Sequence, residues 1–141
     1  MSVRRLLVAY DGSADSDKAL DWACVMARQI DGTVYVLFVL ELYDYFALEG
    51  GAYVPLEEIY REKADQKLAE IREKYKKDGL PIITLVRKGV ADVEVVRYAH
   101  EISADLIVCG TRGLGGLARA LLGSIAHKLV TYSDVPVLVV K

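Results

Sequence analysis

A chain of 141 residues is one ordinary domain, long enough to bury a core without disulfides or structural metals. Its hydrophobic fraction is 53%, yet no apolar run approaches the roughly twenty residues that a membrane-spanning helix needs, so the expected class is soluble and cytoplasmic. The 18 Lys and Arg are interleaved with 20 Asp and Glu, for a net charge of -2; with no basic field to gather phosphates, nucleic acid and membrane surfaces are not expected partners.

The N-terminal "MSVRRLLVAYDGS" sets two arginines before an apolar run, as a secretory signal would, but Asp11 cuts the run short and "RLLVAY" reads as a strand. Ser13 can cap the helix that follows, in which Ala19, Leu20, Ala23, Ala27 and Ile30 recur at helical spacing up to Asp31-Gly32. "TVYVLFVL" is a second compact run, rich in β-branched and aromatic residues, of the kind found where a strand is covered on both faces. A second helix is expected from about Pro55 to Lys77, with Ile59, Ala64, Leu68, Ile71 and Tyr75 on one stripe, ending at Asp78-Gly79-Leu80-Pro81. "PIITLVR" alternates and begins with proline, which suits a strand near a sheet edge. Val95, Val96, Ala99 and Ile102 mark a third helix and "DLIVCG" a fourth strand. Residues near 124 to 132 form a last helix, with Ser124 as its expected cap, and "VPVLVV" is a fifth strand. Cys24 and Cys109 show no metal or disulfide spacing and read as buried thiols of a reducing compartment.

Strict alternation of strands and helices predicts an α/β fold: a single-domain, Rossmann-like, doubly wound five-stranded parallel sheet with helices on both faces, spanning residues 1–141. Such sheets bind ligands beyond the carboxyl ends of their strands, where the winding reverses. In the strand order 3-2-1-4-5 the loop after strand one, Asp11-Gly12-Ser13, meets the loop after strand four. That second loop, "GTRGLGGLARALLGS", places Gly110, Gly113, Gly115, Gly116 and Gly123 before a helix. Backbone amides unobstructed by side chains, followed by the positive end of a helix dipole, make an anion site that needs no cationic side chain. Neither GxxxxGK[ST] nor GxGxxG is present at these turns, and on spacing alone a phosphate loop and plain connecting turns both remain open.

The spacing Gly110-x2-Gly113-x9-Gly123-Ser124 resembles the ATP-binding signature G-x2-G-x9-G-[ST] of the universal stress protein family, with every fixed position matched. The likeness extends over "LLVAYDGSADSDKAL" and over "ADLIVCGTRGLGGLARALLGSIAHKLVTYSDVPVLVV". Two places depart from it: Ala91 stands where the family often has proline, and "ELYDYFALEGGAYVPLEE" has no close counterpart. The resemblance implies an ATP-binding domain of strand order 3-2-1-4-5, a homodimer, acting in stress response or regulation. By matching position it implies Ala9, Asp11 and Val39 around adenine and ribose, with Asp11 also available to a metal. Gly110, Arg112 and Gly113 would line the ribose and phosphate side, and Gly123, Ser124 and Ile125 would meet the phosphates. Magnesium is implied by the triphosphate.

Each residue also has a plainer reading. Asp11 can be a turn aspartate capping the first helix, and Arg112 can be solvated. His100 and His127 lie on helices without a ligand-spaced partner and read as structural. Tyr43, Tyr45, Phe46 and Tyr53 suit either a nucleotide lid or a partner patch. The functional classes that remain are a nucleotide-responsive regulatory module, a slow ATPase, and a flavodoxin-like binder of another phosphorylated ligand. The ATPase reading finds no convincing base, arginine finger or γ-phosphate lysine. The flavodoxin-like reading would put its phosphate loop after strand one, where "DGSADS" is a poor candidate. The fifth strand ends in an apolar edge, Val137 to Val140, with no charge before Lys141; such an edge invites antiparallel pairing with a second copy across a two-fold axis.

Overall fold

The computed structural model describes residues 2–41, 46–49, 52–112 and 122–141. Its central sheet is built from β1 (Arg5–Tyr10), β2 (Thr33–Leu40), β5 (Ile82–Lys88), β6 (Leu106–Gly110) and β7 (Val137–Val140), and a separate hairpin from β3 (Phe46–Glu49) and β4 (Ala52–Pro55). The helices are α1 (Ala14–Ile30), α2 (Leu56–Lys76), α3 (Ala91–Glu101) and α4 (Ser124–Tyr132). The sheet order is β5-β2-β1-β6-β7 and every pairing in it is parallel. Counting only sheet strands, this is the expected 3-2-1-4-5, with "PIITLVR" at one edge and the C-terminal strand at the other.

Alternation along β1 divides the core in two, because successive strand residues point to opposite faces. Leu6, Val8 and Tyr10 join Leu20, Ala23 and Cys24 of α1 and Leu68, Ile71 and Tyr75 of α2 on one face. Leu7 joins Leu37, Ile107 and Cys109 with Val95 and Ala99 of α3 and Leu129 of α4 on the other. Both cysteines are buried thiols, and burial pushes each up to about 11. No helix among the described residues is long and apolar enough to cross a membrane.

The start of the central strand is held from far along the chain: Asp105 Oδ2 accepts hydrogen bonds from the amides of both Arg4 and Arg5, each at 2.9 Å. These two bonds hold its carboxyl below the ordinary value despite opposing desolvation.

The second helix runs Leu56–Lys76, as expected from about Pro55 to Lys77, while Pro55 pairs with Phe46 at the end of the β3–β4 hairpin, which the sequence reading did not anticipate. One local expectation is corrected. The cap of α4 is Gly123, whose extended backbone (φ -63°, ψ 158°) precedes the helix and whose carbonyl accepts the first helical bond from the His127 amide at 2.9 Å. Ser124 is therefore the first helical residue, one position inside the expected cap.

Candidate functional site

Beyond the carboxyl ends of β1, β2 and β6 lies a cleft of about 270 Å³, bordered by the first residues of α3 and α4. Ala9, Asp11 and Val39 line it from the sheet side, Gly110 and Arg112 from the end of β6, and Gly123, Ser124 and Ile125 from the start of α4. The structure thus brings eight of the nine sequence-selected residues to one cavity; Gly113 lies outside the described residues, as do Tyr43 and Tyr45. Phe46 and Tyr53 fall in the β3–β4 hairpin. His100 and His127 do not line the cleft, and His100 Nε2 instead lies 2.8 Å from Asp134 Oδ1 on the surface, a partner that local spacing did not show.

The loop after β1 satisfies itself. Asp11 Oδ1 accepts from the Ser13 amide at 2.9 Å, and Ser13 Oγ accepts from the Ser16 amide at 3.1 Å, as the cap of α1. Ser16 Oγ donates to the Ser13 carbonyl at 2.9 Å. Asp11 thus holds the turn, though the helix cap of its plainer reading is Ser13, and it also lines the cleft.

The start of α4 is different. The first amides of a helix have no intrahelical acceptor, and Gly123 offers no side chain to cap them. Ser124, Ile125 and Ala126, the residues carrying those amides, all border the cleft. Uncapped amides and the positive helix end together favour an anion.

Two glycines are explained by close packing rather than by unusual backbone angles. A Cβ on Gly110 would stand 2.8 Å from the backbone of Asp15, and one on Gly123 would stand 2.8 Å from the Thr111 carbonyl oxygen and 3.2 Å from the Arg112 Cα. The Gly123 amide also donates to that Thr111 oxygen at 2.6 Å. The loop leaving β6 and the loop entering α4 are therefore in backbone contact, which fixes the cleft wall irrespective of any ligand.

Sequence reasoning missed three participants. Thr111 Oγ1 and Arg112 Nε both donate to Asp15 Oδ2 at 3.1 Å. Burial alone would raise the Asp15 carboxyl, but these hydrogen bonds and the Arg112 and Lys18 charges outweigh it and hold it below the usual carboxylate range. Glu41, another lining residue, accepts a hydrogen bond from the amide of Ala91, the first residue of α3. A proline there would have no amide to satisfy; alanine has one, and Glu41 supplies its acceptor in place of a side-chain cap on α3, where Val90 offers none. The motif signals Gly110, Gly113, Gly123 and Ser124; the acidic residues act across long sequence separations and leave no local trace.

The cleft is apolar where Leu37, Val39 and Val95 meet and polar towards Thr111, Arg112 and Ser124. Among the described residues its charged walls are Asp11 and Glu41 against Arg112, so on this side attraction for a polyphosphate rests on amides, the helix dipole and an accompanying cation more than on positive side chains.

Comparison with known proteins gives one family. A model of the universal stress protein family matches residues 2–141. Universal stress protein YxiE of Bacillus subtilis is 36% identical over 145 aligned positions, covering 97% of this chain and 98% of its own. Universal stress protein MJ0531 of Methanocaldococcus jannaschii is 33% identical, covering 98% and 82%. Among solved structures, the hypothetical protein MJ0577 superposes with a TM-score of 0.80 at 23% identity, covering 100% of this chain and 97% of its own. A universal stress protein in complex with cAMP superposes at 0.69 with 26% identity, covering 100% and 99%.

Proposed function

The chain belongs to the universal stress protein family, and from that premise we propose that it is a single-domain, ATP-binding regulatory module of the cytoplasm. In this reading adenine nucleotide in the cleft biases an interaction surface during stress. The observation that carries the proposal is the uncapped start of α4, whose first residues Ser124 and Ile125 border a cleft with an apolar opposite end. The base takes the side of Ala9, Leu37 and Val39, the ribose and first phosphate lie along Gly110 and Arg112, and the phosphates reach Gly123, Ser124 and Ile125. The cAMP complex of a relative with 26% identity supports an adenine nucleotide as the ligand class.

The residues present also suit magnesium carried in with the nucleotide. Asp11 already gives one oxygen to the Ser13 amide and would supply a single carboxylate to the ion, which typically takes its other ligands from phosphate and water. Among the described residues no group of three or more His, Cys, Asp or Glu stands ready to hold a metal alone. Bound there, magnesium would supply charge neutralisation for phosphates lying beside Asp11 and Glu41. The protein residues position the nucleotide and hold it rather than turn it over rapidly.

Non-denaturing mass spectrometry of the purified protein, followed by calorimetric titration with ATP and magnesium and with FMN, tests the assignment. Co-purified adenine nucleotide or saturable ATP binding supports it; FMN binding in place of ATP, or no nucleotide binding at all, sinks it. Catalytic turnover at several per second would reinstate an enzyme. The proposal includes a homodimer through the edge strand β7, and Val139→Pro, which removes a ladder donor, should then give a monomer in light scattering. A parent protein already monomeric at micromolar concentration rejects the dimer.

A further inference from the structure

We propose that Asp15 is a positioning residue for the phosphates of the nucleotide, acting through Arg112, whose guanidinium it holds at the cleft wall; the inference rests on the nucleotide-binding reading above. Asp15 lies in the first turn of α1 and does not itself line the cleft, whereas Thr111 and Arg112 do. Its side chain is 11% exposed, and one oxygen, Oδ2, accepts from both Thr111 Oγ1 and Arg112 Nε at 3.1 Å.

This arrangement differs from a surface ion pair in three ways. The partners are shielded, so the attraction is screened less than at an exposed site. Contact through Nε orients a planar, rigid group, which a point charge could not achieve. The missing Gly110 side chain lets the Asp15 backbone approach the end of β6, so the carboxylate is delivered to the same loop that carries the guanidinium. Burying a carboxylate costs free energy unless it is paired and hydrogen-bonded, and both of its partners belong to the cleft wall. Ordering Arg112 before the ligand arrives lowers the entropic cost of a phosphate contact.

A phosphate-specific loss separates this role from simple packing. Asp15→Asn keeps the size of the side chain and one acceptor oxygen but removes the charge. By calorimetry it should weaken ATP binding about tenfold and adenosine binding less than about twofold. Arg112→Ala should cause a similar loss, and the double variant should bind ATP no more weakly than Arg112→Ala alone, since the two residues act as one unit. Arg112→Lys, which leaves Asp15 in place, should also lose ATP affinity because charge without the oriented Nε does not suffice. In the nucleotide-free parent, the Arg112 Nε–H proton should give an exchange-protected NMR resonance that Asp15→Asn abolishes.

Equal weakening of adenosine and ATP, additive losses in the double variant, full ATP affinity in Arg112→Lys, or an unprotected Nε–H in the parent would each overturn the proposal. A parent that binds ATP while the variants show no phosphate-dependent loss rejects this inference alone. A parent that binds no adenine nucleotide rejects the functional reading and this inference with it.

Discussion

Of the three helices that begin beside the cleft, α1 and α4 have first turns satisfied in opposite ways. At α1, Ser13 caps the Ser16 amide and Asp11 takes the Ser13 amide, so the loop after β1 is closed on itself. At α4, the cap is a glycine without a side chain, and the first helical residues border the cavity. Both ends carry the same partial positive charge by virtue of helix geometry. The difference lies in which amides the chain's own side chains already occupy, and that difference, more than the number of glycines, singles out the end proposed for the phosphates.

The largest expected effect comes from obstructing the open end. Gly123→Val places branched bulk against the Thr111 carbonyl and the Arg112 backbone, and it should cost ATP binding at least about 2 kcal/mol, roughly thirtyfold. Titration calorimetry on a variant shown to be folded by circular dichroism checks this, and an unchanged Kd would break the contrast between the two helix ends.

Gly110→Ala should act on the join between the two regions, since its Cβ would meet the Asp15 backbone at 2.8 Å. The expected outcome is a loss of about 1 to 3 kcal/mol in folding stability by urea denaturation. Full stability would mean that β6 and α1 can separate at no cost.

At the closed end, Ser13→Ala should lower stability by about 0.5 to 2 kcal/mol through loss of the cap. ATP affinity should change by less than about twofold, because the amide it exposes belongs to the self-satisfied loop. A loss of affinity comparable to that of Gly123→Val would mean that both helix ends serve the ligand.

Acid should have the smallest and broadest effect. Asp15 and Asp105 both titrate below their ordinary value of 3.8 in the folded protein. Their contribution to stability is therefore present above that value and is lost as the pH falls through the lower folded values. The urea midpoint should drop as the pH falls from about 4 downward, and Asp105→Asn should make that drop shallower. A parent whose midpoint is unchanged over this range contradicts both carboxylate assignments.

The sheet was legible in the sequence because its strands announce themselves locally. "RLLVAY" and "TVYVLFVL" are covered on both faces and so are mostly apolar, and α4 is expected near 124 to 132, after the glycine segment. The β3–β4 hairpin was not legible: strands of four residues give too short a period, and its tyrosine-rich approach reads equally as loop. The cap of α4 was misplaced by one residue because glycine and serine are both acceptable caps and stand side by side. At the site, the glycine spacing pointed to the cleft, but Asp15 escaped notice since its partners Thr111 and Arg112 lie 96 and 97 residues away. Glu41 escaped likewise, with Ala91 fifty residues further on. Spacing within a loop can point to a cleft, whereas the supporting contacts belong to the tertiary structure.

The clamp that Asp105 places on the amides of Arg4 and Arg5 has a consequence for the order of assembly during synthesis. β1 is the first strand made, yet one of its two neighbours in the sheet is β6, and its opening residues are tied to position 105. While the ribosome is still producing the middle of the chain, the central strand can pair only with β2 and carries an unfilled flank. Closing it requires contacts of long sequence separation, which form slowly, and an exposed strand flank on a nascent chain is a hazard for association with other chains. Completion of the innermost strand therefore waits for the last third of the protein, the same third that brings α4 to the cleft.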